Sequence, residues 1–252
     1  MNKLLLGGTA ALAICMGVAT VSAQASVITY NYDLSGAGHG NNHSYTNQGV
    51  TFTGWEYNSN ANSIDPAKLY FKNQGSYEYG LGVSCNDTSG PKCSQHEINS
   101  SPGQAIDINI SSLLAMSGLI QLTIGVGSVD GNGGSNRPES ALIWGGPTSE
   151  PNGYGAFRKL GQYTYSYDGF SKVASFTFSA AQLAGLNYLE VTDGGGYFGD
   201  GSSGCFGNVL LSSLSASIDP PTQVPEPSGS GMFDFGLLAI AALAGLRRRS
   251  KR

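Results

Sequence analysis

Charge is scarce in this sequence. Asp, Glu, Lys and Arg together make up 12% of its 252 residues, about half the share of an ordinary globular chain. Of the 13 Lys and Arg, six lie at the two extremes of the chain. The interior therefore has no basic stripe for phosphates, which excludes a nucleic-acid binder. Cysteine is scarce as well, with only Cys15, Cys85, Cys93 and Cys205, too few for a small disulfide-dense scaffold. No long stretch of the interior has the 3.6-residue periodicity of an amphipathic helix, which excludes a helical bundle. No segment recurs at a fixed period, so propellers and solenoids are excluded too. The Gly-x-Ser-x-Gly elbow of serine esterases and the His-Glu-x-x-His motif of zinc hydrolases are both absent.

Other features are plentiful. The apolar fraction, 40%, is enough for a core. Gly is present 37 times, about twice its usual share, and marks a chain that turns often.

The two ends read as addresses. Met1-Asn2-Lys3 precedes an apolar run from Leu4 to Val21 and the small residues of Ser22-Ala23-Gln24-Ala25. That order is a secretory signal peptide over 1–25, cut by signal peptidase after Ala25 or, as the alternative, after Ala23. At the other end Val224-Pro225-Glu226-Pro227 leads through Ser228-Gly229-Ser230-Gly231 to an apolar run, Met232 to Leu246, interrupted by Asp234. Arg247-Arg248-Arg249-Ser250-Lys251-Arg252 closes the chain. A helix over 233–246 would rise about 21 Å, against a hydrocarbon core of about 30 Å. Snorkelling of Arg247 and local thinning of the bilayer cover the difference. Residues 235–246 are apolar all round, which favours a single transmembrane helix over a surface helix.

Val224-Pro225-Glu226-Pro227, a short apolar helix containing Gly and a terminal basic cluster resemble the PEP-CTERM sorting signal, over about 29 residues. The resemblance implies an exported protein of a Gram-negative bacterium. Its basic anchor, Arg247 to Arg249, would hold the tail at the inner membrane. There a transpeptidase, exosortase, would cut near the Pro-Glu-Pro and pass the protein to the cell surface or the exopolysaccharide matrix. Pro225 and Pro227 bias the local chain toward an extended form that suits a protease cleft. Asp234, inside the apolar segment, departs from the family pattern and weakens the anchor.

With both tails set aside, 26–224 carries seven basic and fifteen acidic residues, a formal charge of −8. Residues 26–219 are read as one domain and 220–231 as a linker. Alternation of period two dominates this domain. It runs through Ile28, Tyr30, Tyr32 and Leu34; through Val50 to Trp55; and through Ile106, Ile108 and Ile110. It continues in Ile120, Leu122, Ile124 and Val126; in Tyr163, Tyr165 and Tyr167; in Ala174, Phe176 and Phe178; and in 188–192 and 209–217. Leu69–Lys72 and Tyr77–Val83 flank Asn73-Gln74-Gly75-Ser76 as a hairpin. Ser179-Ala180-Ala181-Gln182-Leu183-Ala184-Gly185 is one short helix with Ser179 as N-cap and Gly185 as its end. Ten or eleven short strands separated by turns predict an all-β, two-sheet antiparallel sandwich of jelly-roll type. Gly80-Leu81-Gly82-Val83, His96-Glu97-Ile98-Asn99 and 189–214 are also similar to stretches of other sorting-tag proteins, which implies an extracellular β-sandwich and no catalytic residue.

Few residues carry chemistry. Cys85 and Cys93 bracket a turn-rich loop and are expected to pair; Cys205 is left over, or pairs with one of them. A glycosidase acid pair is set by space and not by spacing, so Glu56, Glu78, Glu97, Glu139 and Glu190 are candidates by residue type alone. His39 and His43 fall in a Gly-Asn loop, where four-residue spacing makes no metal site. Asp130-Gly131-Asn132-Gly133-Gly134-Ser135-Asn136 is a weak calcium candidate through Asp130 and Asn132; Ala141 stands where a bidentate Glu belongs. Asp193 and Asp200 mark a second acidic Gly loop. Trp55 and Trp144, the latter expected where a strand becomes a loop, are candidate glycan contacts beside the 13 Tyr. The sequence thus predicts a non-enzymatic surface or matrix protein with a structural or adhesive role, needing no cofactor. A carbohydrate-binding module is the alternative, and a polysaccharide hydrolase comes third.

Overall fold

The computed structural model describes residues 26–58, 61–74, 78–84, 96–99, 103–129, 139–148, 157–165, 173–194 and 208–220. All of them belong to one compact unit, Ser26–Pro221. The signal peptide, Cys85, Cys93 and Cys205, Asp130 and Asn132, Asp200, the Val224–Pro227 motif and the Arg247–Arg249 anchor lie outside the described residues.

The unit is all-β and antiparallel throughout. In chain order the strands are β1 (Ile28–Asn31), β2 (Ser44–Asn47), β3 (Val50–Asn58), β4 (Ser63–Asn73), β5 (Tyr79–Ser84), β6 (Ile98–Asn99) and β7 (Gln104–Asn109). They continue with β8 (Leu119–Gly127), β9 (Ser140–Gly146), β10 (Arg158–Thr164), β11 (Ala174–Ser179), β12 (Tyr188–Asp193) and β13 (Asn208–Ile218). Ten of them form a continuous path, β10-β9-β12-β7-β3-β4-β5-β13-β8-β11; β2 adds to β3, and β1 and β6 add to β13.

The long strand β4 joins two sheets. Its first half, Ser63 to Ala67, pairs with β3, and its second half, Lys68 to Asn73, pairs with β5. The first sheet is therefore β10-β9-β12-β7-β3 with the start of β4, and the second is the rest of β4 with β5-β13-β8-β11. Both line one core. Val50 and Phe52, Ile106 and Ile108, Leu189 and Val191, and Ala141 and Ile143 come from the first sheet; Leu69, Leu81, Leu122, Ile124, Leu211 and Leu214 come from the second. Each fully buried Leu, Ile or Phe contributes about 1.5–3 kcal/mol relative to exposure.

The local signals explain most elements. In β3 alternate residues are buried and half-buried, as its alternating sequence requires. The β4–β5 hairpin closes with Asn73 opposite Tyr79. Helix α2 (Ala180–Leu183) begins with a capping box between Ser179 and Gln182, and Gly185 follows at φ +78°, a left-handed position suited to glycine.

Several details differ from the sequence reading, which expected ten or eleven strands where the described residues form thirteen, β2 and β6 among those unforeseen. The first strand stops at Asn31. Ile28 and Tyr30 are exposed while Tyr32 and Leu34 are buried, because β1 pairs on one side only, with β13. β4 starts at Ser63, well before Leu69, with Pro66 opposite Trp55 at the point where the strand changes sheets. Trp144 lies inside β9, which runs on to Gly146. A second short helix, α1 (Ser111–Leu114), follows β7; its sequence signal is Asn109, whose side chain accepts a hydrogen bond from the Ser111 amide at 3.0 Å.

Candidate functional site

The first sheet turns one face to the core, and its other face carries the most concentrated unusual chemistry among the described residues. In β3 the alternation puts Phe52, Gly54 and Glu56 inward and Thr51, Thr53 and Trp55 outward. In β7 it puts Ile106 and Ile108 inward, leaving Ala105, Asp107 and Asn109 on the outer face. Register then fixes the neighbours across the strands. Thr53 faces Asp107, Asp107 faces Glu190, and Glu190 faces Trp144. One step along, Trp55 faces Ala105, Ala105 faces Thr192, and Thr192 faces Leu142. Two carboxyl side chains are thus direct cross-strand neighbours in the middle of the sheet, flanked by the two indoles.

Both acids are buried, Asp107 to 2% and Glu190 to 4% relative exposure, although they lie on the face away from the core. Trp55 Nε1 donates to Asp107 Oδ2 at 3.1 Å. Trp144 Nε1 donates to Thr192 Oγ1 at 3.1 Å, and Asn109 Nδ2 donates to the Tyr188 hydroxyl at 3.2 Å. Burial, the facing Glu190 charge and the hydrogen bond with Glu190 hold the Asp107 carboxyl well above the usual range, against the opposing pull of the Trp55 N–H. Burial likewise pushes Glu190 up to about 8. Near neutral pH the pair therefore retains a proton, so that one carboxyl donates to the other.

No protein-family model matches the chain, and no curated protein is similar to it.

The remaining sequence candidates fall elsewhere. Glu56 and Glu97 join a polar network at one end of the core. Gln104 Nε2 donates to Glu56 Oε2 at 3.0 Å, and Gln104 Oε1 accepts from the Asn99 amide and side chain, each at 3.1 Å. Asn99 Nδ2 donates to the Glu97 carbonyl at 2.9 Å. Lys72 Nζ lies 2.6 Å from Glu97 Oε1 and 2.9 Å from Glu78 Oε2, and Ser128 Oγ donates to Glu97 Oε1 at 3.1 Å. Burial raises the Glu97 carboxyl despite Lys72 and Ser128. Burial pulls the Lys72 ammonium down, but its bonds to Glu78 and Glu97 outweigh this and leave it raised. Glu139 Oε1 accepts from the Asn208 amide at 3.2 Å. Asp193, on β12 beyond Thr192, is buried opposite Ala141. His39 and His43 are exposed; the His39 ring lies 5.2 Å from Tyr70, which stacks at 4.0 Å on His96. Among the described residues, no group of three His, Cys, Asp or Glu is placed to hold a metal ion, and no helix is long and apolar enough to cross a membrane.

Of the sequence candidates, the structure brings together Trp55, Trp144 and Glu190. It adds Asp107, which alternates with Ile106 and Ile108 along β7 and is not among the sequence candidates. Period two tells which side of a strand a residue takes, not whether that side is wet. The sequence held no further signal for Asp107, because its partner lies on a distant strand.

The indoles are half-buried and stand three strands apart, from β3 to β9, or about 14 Å at the usual inter-strand spacing. Such an arrangement can present aromatic surface to an elongated ligand. It is poorly suited to glycoside hydrolysis. Paired glycosidase carboxyls stand about 5–9.5 Å apart, with sugar or water between them. Asp107 and Glu190 instead touch each other beneath the surface.

Proposed function

We propose that this chain is an exported, non-enzymatic β-sandwich of jelly-roll type. In this reading it is sorted by a PEP-CTERM tail to the cell surface or exopolysaccharide matrix, where its role is structural or adhesive. The observation that carries the reading is the order of Val224-Pro225-Glu226-Pro227, apolar segment and Arg247-Arg248-Arg249, together with the basic, apolar and small-residue pattern of 1–25. The basic cluster keeps the terminus in the cytoplasm, while exosortase cuts on the other side of the membrane. The mutual contact of the buried acid pair supports a non-enzymatic role. Replacing Arg247, Arg248 and Arg249 with Ser is expected to release uncleaved precursor from the inner-membrane fraction. Unchanged fractionation and processing would sink the reading.

A second reading has one observation in its favour: Trp55 and Trp144 share a sheet face. In that reading the face holds a matrix polysaccharide by stacking. Co-sedimentation with the native polysaccharide tests it, with Trp144→Ala expected to weaken binding at least tenfold. Binding that ignores this substitution would dismiss it.

A further inference from the structure

We propose that Asp107 and Glu190 form a proton-operated latch on the outer face of the first sheet. A shared proton ties β7 to β12, and its loss sets two like charges against each other beneath Trp55. The geometry points there independently of any ligand. The carboxyls are direct cross-strand partners on central strands, close enough for their side chains to meet. Both are more than nine-tenths buried, so water cannot screen them. Among the described residues, the Trp55 N–H is the one side-chain donor bonded to either acid apart from the acids themselves.

Among the described residues, what faces the pair from each packed element leaves the charge uncompensated. From β3 come Thr53 and Trp55, while Glu56 turns to the core face. From β9 comes Trp144. From β7 and β12 themselves come Asn109 and Tyr188, which bond to each other, and Thr192, which takes the Trp144 N–H. The nearest cation on this face among the described residues is Lys159 on β10. It lies two strands from Glu190, opposite Trp144, is exposed, and bonds to Gln162 Oε1 at 3.1 Å.

The direction of the switch follows. Both acids bind protons more tightly folded than unfolded. The stabilisation they provide is complete below about pH 4, where the unfolded chain is protonated as well, and it fades as pH rises. The share of Glu190 is gone once it ionises, at about 8, and that of Asp107 once its own raised carboxyl ionises. Alkalinity therefore opens the latch, and mild acid closes it.

The full chain in mild detergent and EDTA tests this through tryptophan emission and melting temperature from about pH 5 to about pH 10. The wild-type melting temperature is expected to fall from about pH 5 to about pH 8 relative to an Asp107→Asn/Glu190→Gln variant, with a red shift of indole emission centred near pH 8, where Glu190 of the folded chain ionises. Parallel melting curves for the two chains overturn the proposal. Should the variant not fold, the wild-type emission decides: a shift centred near pH 8 supports the latch, and constant emission to about pH 9.5 overturns it. Calcium that fully restores the alkaline melting temperature would also overturn it, since the pair would then be a cation site.

Discussion

Lys72 decides which buried acid keeps its charge. Its ammonium lies between Glu78 and Glu97, with side chains of Lys72 and Glu97 both nearly sealed from solvent. Asp107 and Glu190 are just as buried but face no ammonium among the described residues, and they answer burial by holding a proton. Removing Lys72 should push Glu97 toward the same solution at a large cost. Lys72→Met leaves Glu97 with the Ser128 hydroxyl as its remaining side-chain donor. A broken buried pair typically costs about 3–5 kcal/mol, and urea unfolding at neutral pH should show a loss of that size. Adding Glu97→Gln should recover most of it, because no buried charge is then stranded. A double variant as unstable as Lys72→Met would mean that Lys72 acts through packing of its stem. None of this was readable beforehand. Lys72 follows Phe71 in a strand, and alternation would place one of the two in water; both are buried, Lys72 with its ammonium held between Glu78 and Glu97.

At the scale of elements, local chemistry does most of the work in α2 and little in β4. Ser179 accepts from the Gln182 amide, and Gln182 Oε1 accepts from the Ser179 amide at 2.9 Å, a reciprocal cap written in four consecutive residues. Ser179→Ala should lower stability by about 1 kcal/mol. A urea midpoint that does not move would assign the helix start to packing of Leu183 alone. For the same reason this helix was legible in the sequence, as was the β4–β5 hairpin, whose turn residues lie between two alternating runs. The alternating stripes of β3, β7, β8 and β12 were also legible, since alternate apolar residues of each face the core. The first half of β4 was not. Its strand character depends on β3, reached through the Trp55–Pro66 register, and a proline inside a run argues against a strand. The acid pair escaped for a related reason. Asp107 and Glu190 meet through the order β12-β7 in the sheet, which alternation within either strand does not reveal.

For the whole sandwich the decisive feature is that β4 belongs to both sheets while their inner faces share one core. Neither sheet keeps a buried face if the other opens, so the unit should unfold in a single transition. The placement of tryptophan makes this testable. Trp55 and Trp144 both sit in the first sheet, on β3 and β9, whereas far-ultraviolet circular dichroism averages over all strands. Ile124 is fully buried on β8, in the second sheet. Ile124→Ala should cost about 2–5 kcal/mol through lost transfer energy and the cavity left behind. If the sheets are one cooperative unit, tryptophan emission and circular dichroism should report that loss at the same shifted denaturant midpoint, although no tryptophan shares a sheet with the substitution. A tryptophan midpoint that stays at the wild-type value while circular dichroism moves would mean that the first sheet stands alone and that β4 is a tether between separate folding units.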